Sequence, residues 1–139
     1  MYRGDVGDLR ELFEVRRILE VESAGLAALR RTDQDLEAMR AALRSMRQGL
    51  RSAERYVGGD VHFHLAVATA THNRMAASVM QAIRDVLHRA LLSIYHIPGS
   101  PQRSIGQHHQ ILAGEQVLRP SWTHLRQPHA LGANAQVGH

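Results

Sequence analysis

The spacing of apolar residues is the feature that most limits the fold of this chain. From about residue 8 to residue 112, apolar side chains recur at steps of three and four, and no segment alternates with the period of a strand. The links between these segments are short, which favours antiparallel neighbours. With 139 residues, 44% of them hydrophobic, the chain can bury one core. The sequence therefore predicts an all-α antiparallel bundle of about six helices.

Capping residues and helix breakers divide the chain into predicted helices. The first helix is expected over about residues 8–31, and the second from a start at residues 32–35 to a break at Gly58-Gly59. Further helices are expected over about 60–71, over 73–95, and from about 102 onward. Thr32 and Asp35 have the spacing of a capping box at the start of the second helix. That helix carries a narrow seam of Leu36, Met39, Leu43, Met46 and Leu50. The seam predicts either intramolecular core, which we favour, or a dimer face.

Proline and glycine are frequent after Gly114, and this change of composition suggests a domain boundary. We predict a linker remnant at residues 1–7, one helical ligand-binding domain at 8–113, and a divergent, partly disordered segment at 114–139.

Charge and composition exclude several classes of protein. The net charge of +4 comes from arginines scattered among acids, which is typical of a solvated helical surface rather than of a nucleic-acid-binding stripe. No apolar run approaches the roughly 20 residues that cross a bilayer, and no secretory signal is recognisable, so we predict a cytoplasmic protein without membrane contact. The absence of cysteine excludes thiolate ligands, so any metal must be held by histidine, carboxylate or water.

Asp60 and His64 are the first candidate site residues. They are four positions apart, so on a helix they share one face and can bind the same ion, whereas His62 points elsewhere. The alternative is an acid at a helix N-terminus, stabilised by the helix dipole, beside a partly buried histidine.

His108 and Arg16 are the other candidates. His108 lies one turn before Leu112 on an inward face, where it is either a ligand or a core-edge histidine bonded to a carbonyl. Arg16 lies on an apolar stripe and needs an anion, because an unpaired buried charge is costly. That anion is either Glu20, four residues on, or the carboxylate of a bound ligand.

Three motifs, in order, resemble a known family. The segment from Glu14 to Glu20 with Leu26-Ala27-Ala28-Leu29, the segment Asp60-Val61-His62-Phe63-His64, and the segment His108-His109-Gln110-Ile111-Leu112 resemble the FadR-type C-terminal (FCD) domain of GntR-family bacterial transcription regulators. The resemblance extends from about Asp8 to Ala113. It implies an antiparallel helical bundle that dimerises in the intact regulator, with a divalent metal beside a small organic acid in its central cavity.

The resemblance also assigns roles to individual residues. It implies that Asp60, His64 and His108 are metal ligands, that Arg16 binds the ligand carboxylate, and that Asn73 either lines the cavity or caps the fourth helix, with capping favoured. A nitrogen and oxygen ligand set of this kind suits zinc, nickel, manganese or iron rather than calcium.

Two departures from the family pattern affect these expectations. The winged helix-turn-helix of the family is absent from this chain, so DNA contact is expected only in an intact regulator. The end of the chain also differs: His124-Leu125 matches a local histidine–leucine signature but comes early, and we place the last metal ligand on His124.

The predicted function is an effector-binding and dimerisation domain, not an enzyme. The alternatives are a metal-dependent hydrolase and a metal-free helical dimerisation module.

Overall fold

The computed structural model describes the backbone of residues 6–117 and the side chains of residues 9–113. Within that part there are six α-helices and no strand: α1 (Val6–Arg30), α2 (Asp33–Gln48), α3 (Ala53–Ala70), α4 (Arg74–Ala82), α5 (Arg84–Tyr95) and α6 (Ser100–Val117). The predicted all-α bundle is confirmed. None of the described helices is both long and apolar enough to cross a bilayer.

Helix α3 is the central element of the bundle and packs against α1, α2, α4 and α5. Helices α1 and α3 run in the same direction, because Glu20 contacts His64 and, further along both helices, Arg30 donates to the carbonyl of Thr71. Helix α6 also runs parallel to α3, since the Tyr56 hydroxyl donates to the Pro101 carbonyl and the contact between residues 60 and 108 follows further along. Polar side chains of α1, α3 and α6 therefore meet at one level.

The start and the seam of α2 follow the sequence prediction. The Thr32 hydroxyl accepts from the Asp35 amide at 3.1 Å, and the Asp35 carboxylate accepts from the Thr32 amide at 2.8 Å, which completes the capping box. Leu36, Met39 and two further seam residues are buried in the core of the same chain. The favoured intramolecular interpretation of the seam is confirmed, and the alternative of a dimer face is wrong.

The predicted break at Gly58-Gly59 is wrong, because α3 begins at Ala53 and continues through both glycines. A Cβ atom at Gly59 would lie 2.8 Å from Cγ and 2.9 Å from the backbone nitrogen of Met46 on α2. Gly59 therefore allows α3 to approach α2 closely. A Cβ atom at Gly58 would meet nothing within 4 Å, so no contact requires glycine there.

The predicted helix over residues 73–95 is divided into α4 and α5 at Ile83, which has φ −93° and ψ 2°. The break has no glycine or proline, and the apolar pattern of the sequence continues across it. The sequence therefore contains no sign that the helix would be divided. The Asn73 side chain accepts from the amides of Met75 and Ala76 at 2.9 and 3.1 Å and so caps α4. Helix α6 begins at Ser100 rather than near 102, and Pro101 lies in its first turn, where a missing amide hydrogen is tolerated.

Replacing either of the two adjacent glycines of α3 by alanine should change the free energy of unfolding, in opposite directions at the two positions. Gly59→Ala should lower the free energy of unfolding by about 1–3 kcal/mol, because the added methyl group collides with α2. Gly58→Ala should raise it by about 0.5–1 kcal/mol, because alanine loses less backbone entropy in a helix. Urea unfolding followed by circular dichroism measures both values. A Gly59→Ala variant as stable as the parent would contradict the close packing of α3 against α2.

Candidate functional site

Three predicted ligands from two helices meet at one point inside the bundle. Asp60 Oδ1 lies 3.0 Å from His64 Nε2 and 2.6 Å from His108 Nε2. Asp60 is 1% exposed, and both histidines are 4% exposed. One potential ligand atom from each residue lies within 4.8 Å of the others, so the group could hold a metal ion. The alternative of a helix-terminal acid is wrong for Asp60, since α3 begins two turns earlier at Ala53.

Helix α1 adds a carboxylate and a guanidinium to this cluster. Glu20 Oε1 lies 2.5 Å from His64 Nδ1, on the side of the ring opposite Asp60. Arg16 pairs with Glu20 at 3.3 and 3.4 Å, as the ion-pair interpretation predicted, and its Nη2 also lies 3.0 Å from His64 Nε2. The Arg16 guanidinium is further held over the Phe13 ring, 4.9 Å from the ring centroid.

The charges of these groups are strongly coupled. Burial opposes the charge on His64, but the carboxylates of Glu20 and Asp60 outweigh it and raise the pKa of His64 to about 9. Burial likewise opposes the charge on Glu20, yet His64 and Arg16 together lower the pKa of Glu20 to about 2. The pKa of Asp60 is held well below its usual range by hydrogen bonds from His108 and His64, against the effect of burial. The cluster is therefore a pair of carboxylates neutralised by one imidazolium and one guanidinium.

His108 differs from His64 in its charge. Burial, reinforced by the nearby positive charge of His64, lowers the pKa of His108 although Asp60 opposes this shift. The neutral ring donates from Nε2 to Asp60 and stacks on Phe63, with 4.2 Å between the ring centroids. Its Nδ1 is buried and has no hydrogen-bond partner among the described residues. Such an unpaired buried nitrogen is unfavourable unless a water or a ligand meets it.

A cavity of about 510 Å³ lies beside the cluster, between α1, α5 and α6. Arg16, Glu20 and His108 line it next to the cluster, while apolar side chains of α1, α5 and α6 form much of its remaining wall. A concave, largely apolar space with a few convergent polar groups is typical of a small-molecule site.

The remaining predicted site residues lie elsewhere. Asn73 is exposed, caps α4 and does not line this cavity, so of its two predicted roles the structure shows the capping one. His124 lies outside the described residues. His62 is exposed, as expected from its position between Asp60 and His64.

Sequence reasoning missed one contact at the site. The sequence predicts Glu20 as a possible partner of Arg16, but it does not predict the contact between Glu20 and His64 Nδ1. The position of Glu20 four residues after Arg16, on the same stripe of the helix, was the one sequence feature that placed it near the site.

Comparison with known proteins agrees with the motifs and the fold. Residues 11–114 match the family described as the FCD domain. The chain is 38% identical over 80 residues to the HTH-type transcriptional regulator LutR of Bacillus subtilis (strain 168), covering 58% of this chain and 36% of the relative. It is 36% identical over 110 residues to the Uxu operon transcriptional regulator of Escherichia coli (strain K12), covering 74% of this chain and 43% of the relative.

A third relative is the Glc operon transcriptional activator of Escherichia coli (strain K12), 31% identical over 114 residues, covering 74% of this chain and 44% of the relative. The chain thus spans less than half the length of each of these relatives. All three are transcription regulators by name, which indicates a regulatory domain rather than an enzyme. The chain belongs to the FCD domain family of GntR-type transcription regulators.

Proposed function

We propose that this domain binds a divalent metal and a small organic acid, and that it serves as the effector-binding and dimerisation domain of a GntR-family regulator acting in the cytoplasm. The convergence of Asp60 Oδ1, His64 Nε2 and His108 Nε2 beside a cavity is the observation that carries the proposal. The relatives named as regulators of the Uxu and Glc operons support a role in the control of transcription.

The distances within the cluster suit a metal. Bonds of about 2.1 Å at right angles would set neighbouring ligand atoms roughly 3.0 Å apart. Asp60 Oδ1 and His64 Nε2 have this separation, and His108 Nε2 needs to withdraw from Asp60 by only a few tenths of an ångström. The ligand set suits zinc, nickel, manganese or iron. A fourth imidazole from His124 remains a prediction.

His64 Nε2 has conflicting neighbours in the absence of metal. If His64 Nε2 carries a proton, that proton meets the Arg16 guanidinium, which is also a donor. If Nε2 carries no proton, its lone pair meets the Asp60 carboxylate, which is also an acceptor. A divalent cation would accept lone pairs from both Asp60 Oδ1 and His64 Nε2 and so remove the conflict. Glu20 would keep His64 oriented through Nδ1, as second carboxylates commonly do for metal-binding histidines.

Arg16 is suited to link the metal to the acid. It now contacts the same nitrogen that a metal would use, so metal binding would free its Nη2 for the cavity. There the planar guanidinium could bind a carboxylate with charge-assisted hydrogen bonds. The effector would then contact α1 and α6 together, and a shift in their packing would reach the DNA-binding parts of a dimeric regulator if the effector binds one packing more tightly.

Divalent metal should stabilise the folded domain. At about 100 times its dissociation constant, zinc should add about 2.7 kcal/mol and raise the melting temperature by about 8 °C. Differential scanning fluorimetry with and without zinc, after treatment with chelator, measures this rise. The double variant Asp60→Ala, His64→Ala should lose it, whereas His62→Ala, which removes an exposed histidine between them, should keep it. An unchanged melting temperature in well-folded parent protein would contradict the metal site.

Metal affinity should rise with pH. The pKa of His64 is about 9 in the metal-free cluster, so the ring is charged at pH 7 and must release its proton to bind metal. The association constant should therefore increase about tenfold per pH unit from pH 7 towards pH 9. Calorimetric titrations in buffers of different ionisation enthalpy should show about one proton released at pH 7. Binding that is independent of pH across this window would argue against His64 as a ligand.

A monocarboxylate should add to the stabilisation by metal. Lactate should raise the melting temperature of the zinc-loaded parent further, and should do so much less in Arg16→Gln, because the neutral amide removes the charge that binds the carboxylate. Arg47→Gln, an exposed position on α2, serves as the matched control and should behave like the parent. The comparison requires that zinc still raises the melting temperature of Arg16→Gln, which shows that the metal site of this variant is intact. Equal lactate shifts in Arg16→Gln and the parent would contradict the role of Arg16.

A further inference from the structure

We propose that the effector carries a second anionic group, and that Arg103 binds it at the end of the cavity remote from the metal ligands. This inference rests on the proposed function, because the first anionic group is the one assigned to Arg16 and the metal. It adds a second binding position and restricts the effector to acids with two separated anionic groups.

The charges around the cavity are unbalanced in favour of cations. Arg16, Arg17 and Arg103 all line the cavity, whereas Glu20 is the only acid in its described lining. Glu20 is already engaged by Arg16 and His64. Neither Arg17 nor Arg103 has a carboxylate partner within residues 9–113. Both arginines are exposed and hydrated, and their excess positive charge at the cavity would attract a second anionic group of a ligand.

Arg103 lies nearer the start of α6 than His108, the residue by which α6 joins the cluster. It precedes His108 by five residues on α6, which corresponds to about 7.5 Å along the helix axis. Its guanidinium also folds away from His108, since Nη1 lies 3.0 Å from the position of a Cβ atom on Gly99. Ser100, three residues before Arg103 on α6, also lines the cavity, and its hydroxyl can add a hydrogen bond to an anion beside Arg103.

Most of the remaining lining of the cavity is apolar, and the cavity is larger than a simple acid. Phe13, Leu91, Ile94 and Ile111 contribute to this apolar lining. The volume of about 510 Å³ falls within the range of about 300–1,000 Å³ that is typical of pockets for drug-sized ligands, and a three-carbon acid such as lactate would leave much of it unfilled. The expected effector therefore has an uncharged middle between two anionic ends, the second of which is a carboxylate or a phosphate.

Calorimetry on the zinc-loaded full chain with matched acids tests this inference. Hexanoate is compared with adipate, which adds a terminal carboxylate, and glycerate is compared with 3-phosphoglycerate, which adds a phosphate. At low salt the dianion of at least one pair should bind about five- to tenfold more tightly than its monoanion, and added salt should reduce the difference. The pair that shows the difference identifies the second group as carboxylate or phosphate.

Variants then locate the second group. Arg103→Gln should lower the affinity for the preferred dianion to that for its monoanion, and should leave the affinity for the monoanion unchanged. The control Arg47→Gln should change neither affinity. Equal binding of monoanion and dianion in the parent would overturn the inference but leave the metal and Arg16 assignments standing. A preference for the dianion that survives in Arg103→Gln would overturn it as well. Failure of every acid to bind zinc-loaded protein would instead contradict the proposed function itself.

Discussion

The buried carboxylate of Asp60 constrains the rest of the structure. Its Oδ1 lies within 3.0 Å of two imidazole nitrogens, from α3 itself and from α6, and almost no water reaches it. An uncompensated charge in such a place would destabilise the fold by several kcal/mol. The helices must therefore hold His64 and His108 at hydrogen-bond distance. Because Glu20 contacts the far side of His64, α1 is held at the same level.

The packing around Asp60 explains how this arrangement is maintained. Gly59, its immediate neighbour, faces α2 so closely that no side chain fits between the helices. Phe63, one turn after Gly59, is fully buried and stacks on His108. One face of α3 is thus fixed by tight apolar contact while the adjacent face presents the polar cluster. Rigid support of this kind would keep the ligand atoms of the proposed metal site within the narrow range of distances that a metal requires.

The sequence predicted those features that depend on local spacing. The apolar period predicted the helices, Thr32 and Asp35 predicted the capping box, and the step of four from Asp60 predicted that His64 shares its face. Other features depend on contacts between distant residues. Whether Gly59 breaks a helix or packs it is decided by Met46, the contact of Glu20 with His64 joins separate helices, and Ile83 interrupts a helix without any local signal. His124 lies outside the described residues.

The contacts of α1 bear on how metal and effector could influence each other. The three ligands of the proposed metal site come from α3 and α6, and none comes from α1. Arg16 and Glu20 of α1 nevertheless both contact His64. Any change in the protonation or ligation of His64 therefore alters the interactions of α1, and the same Arg16 lines the cavity. Two ligands that compete for or share such contacts are thermodynamically coupled, and the coupling must be equal in both directions. Metal that frees Arg16 would strengthen acid binding, so bound acid must strengthen metal binding by the same factor.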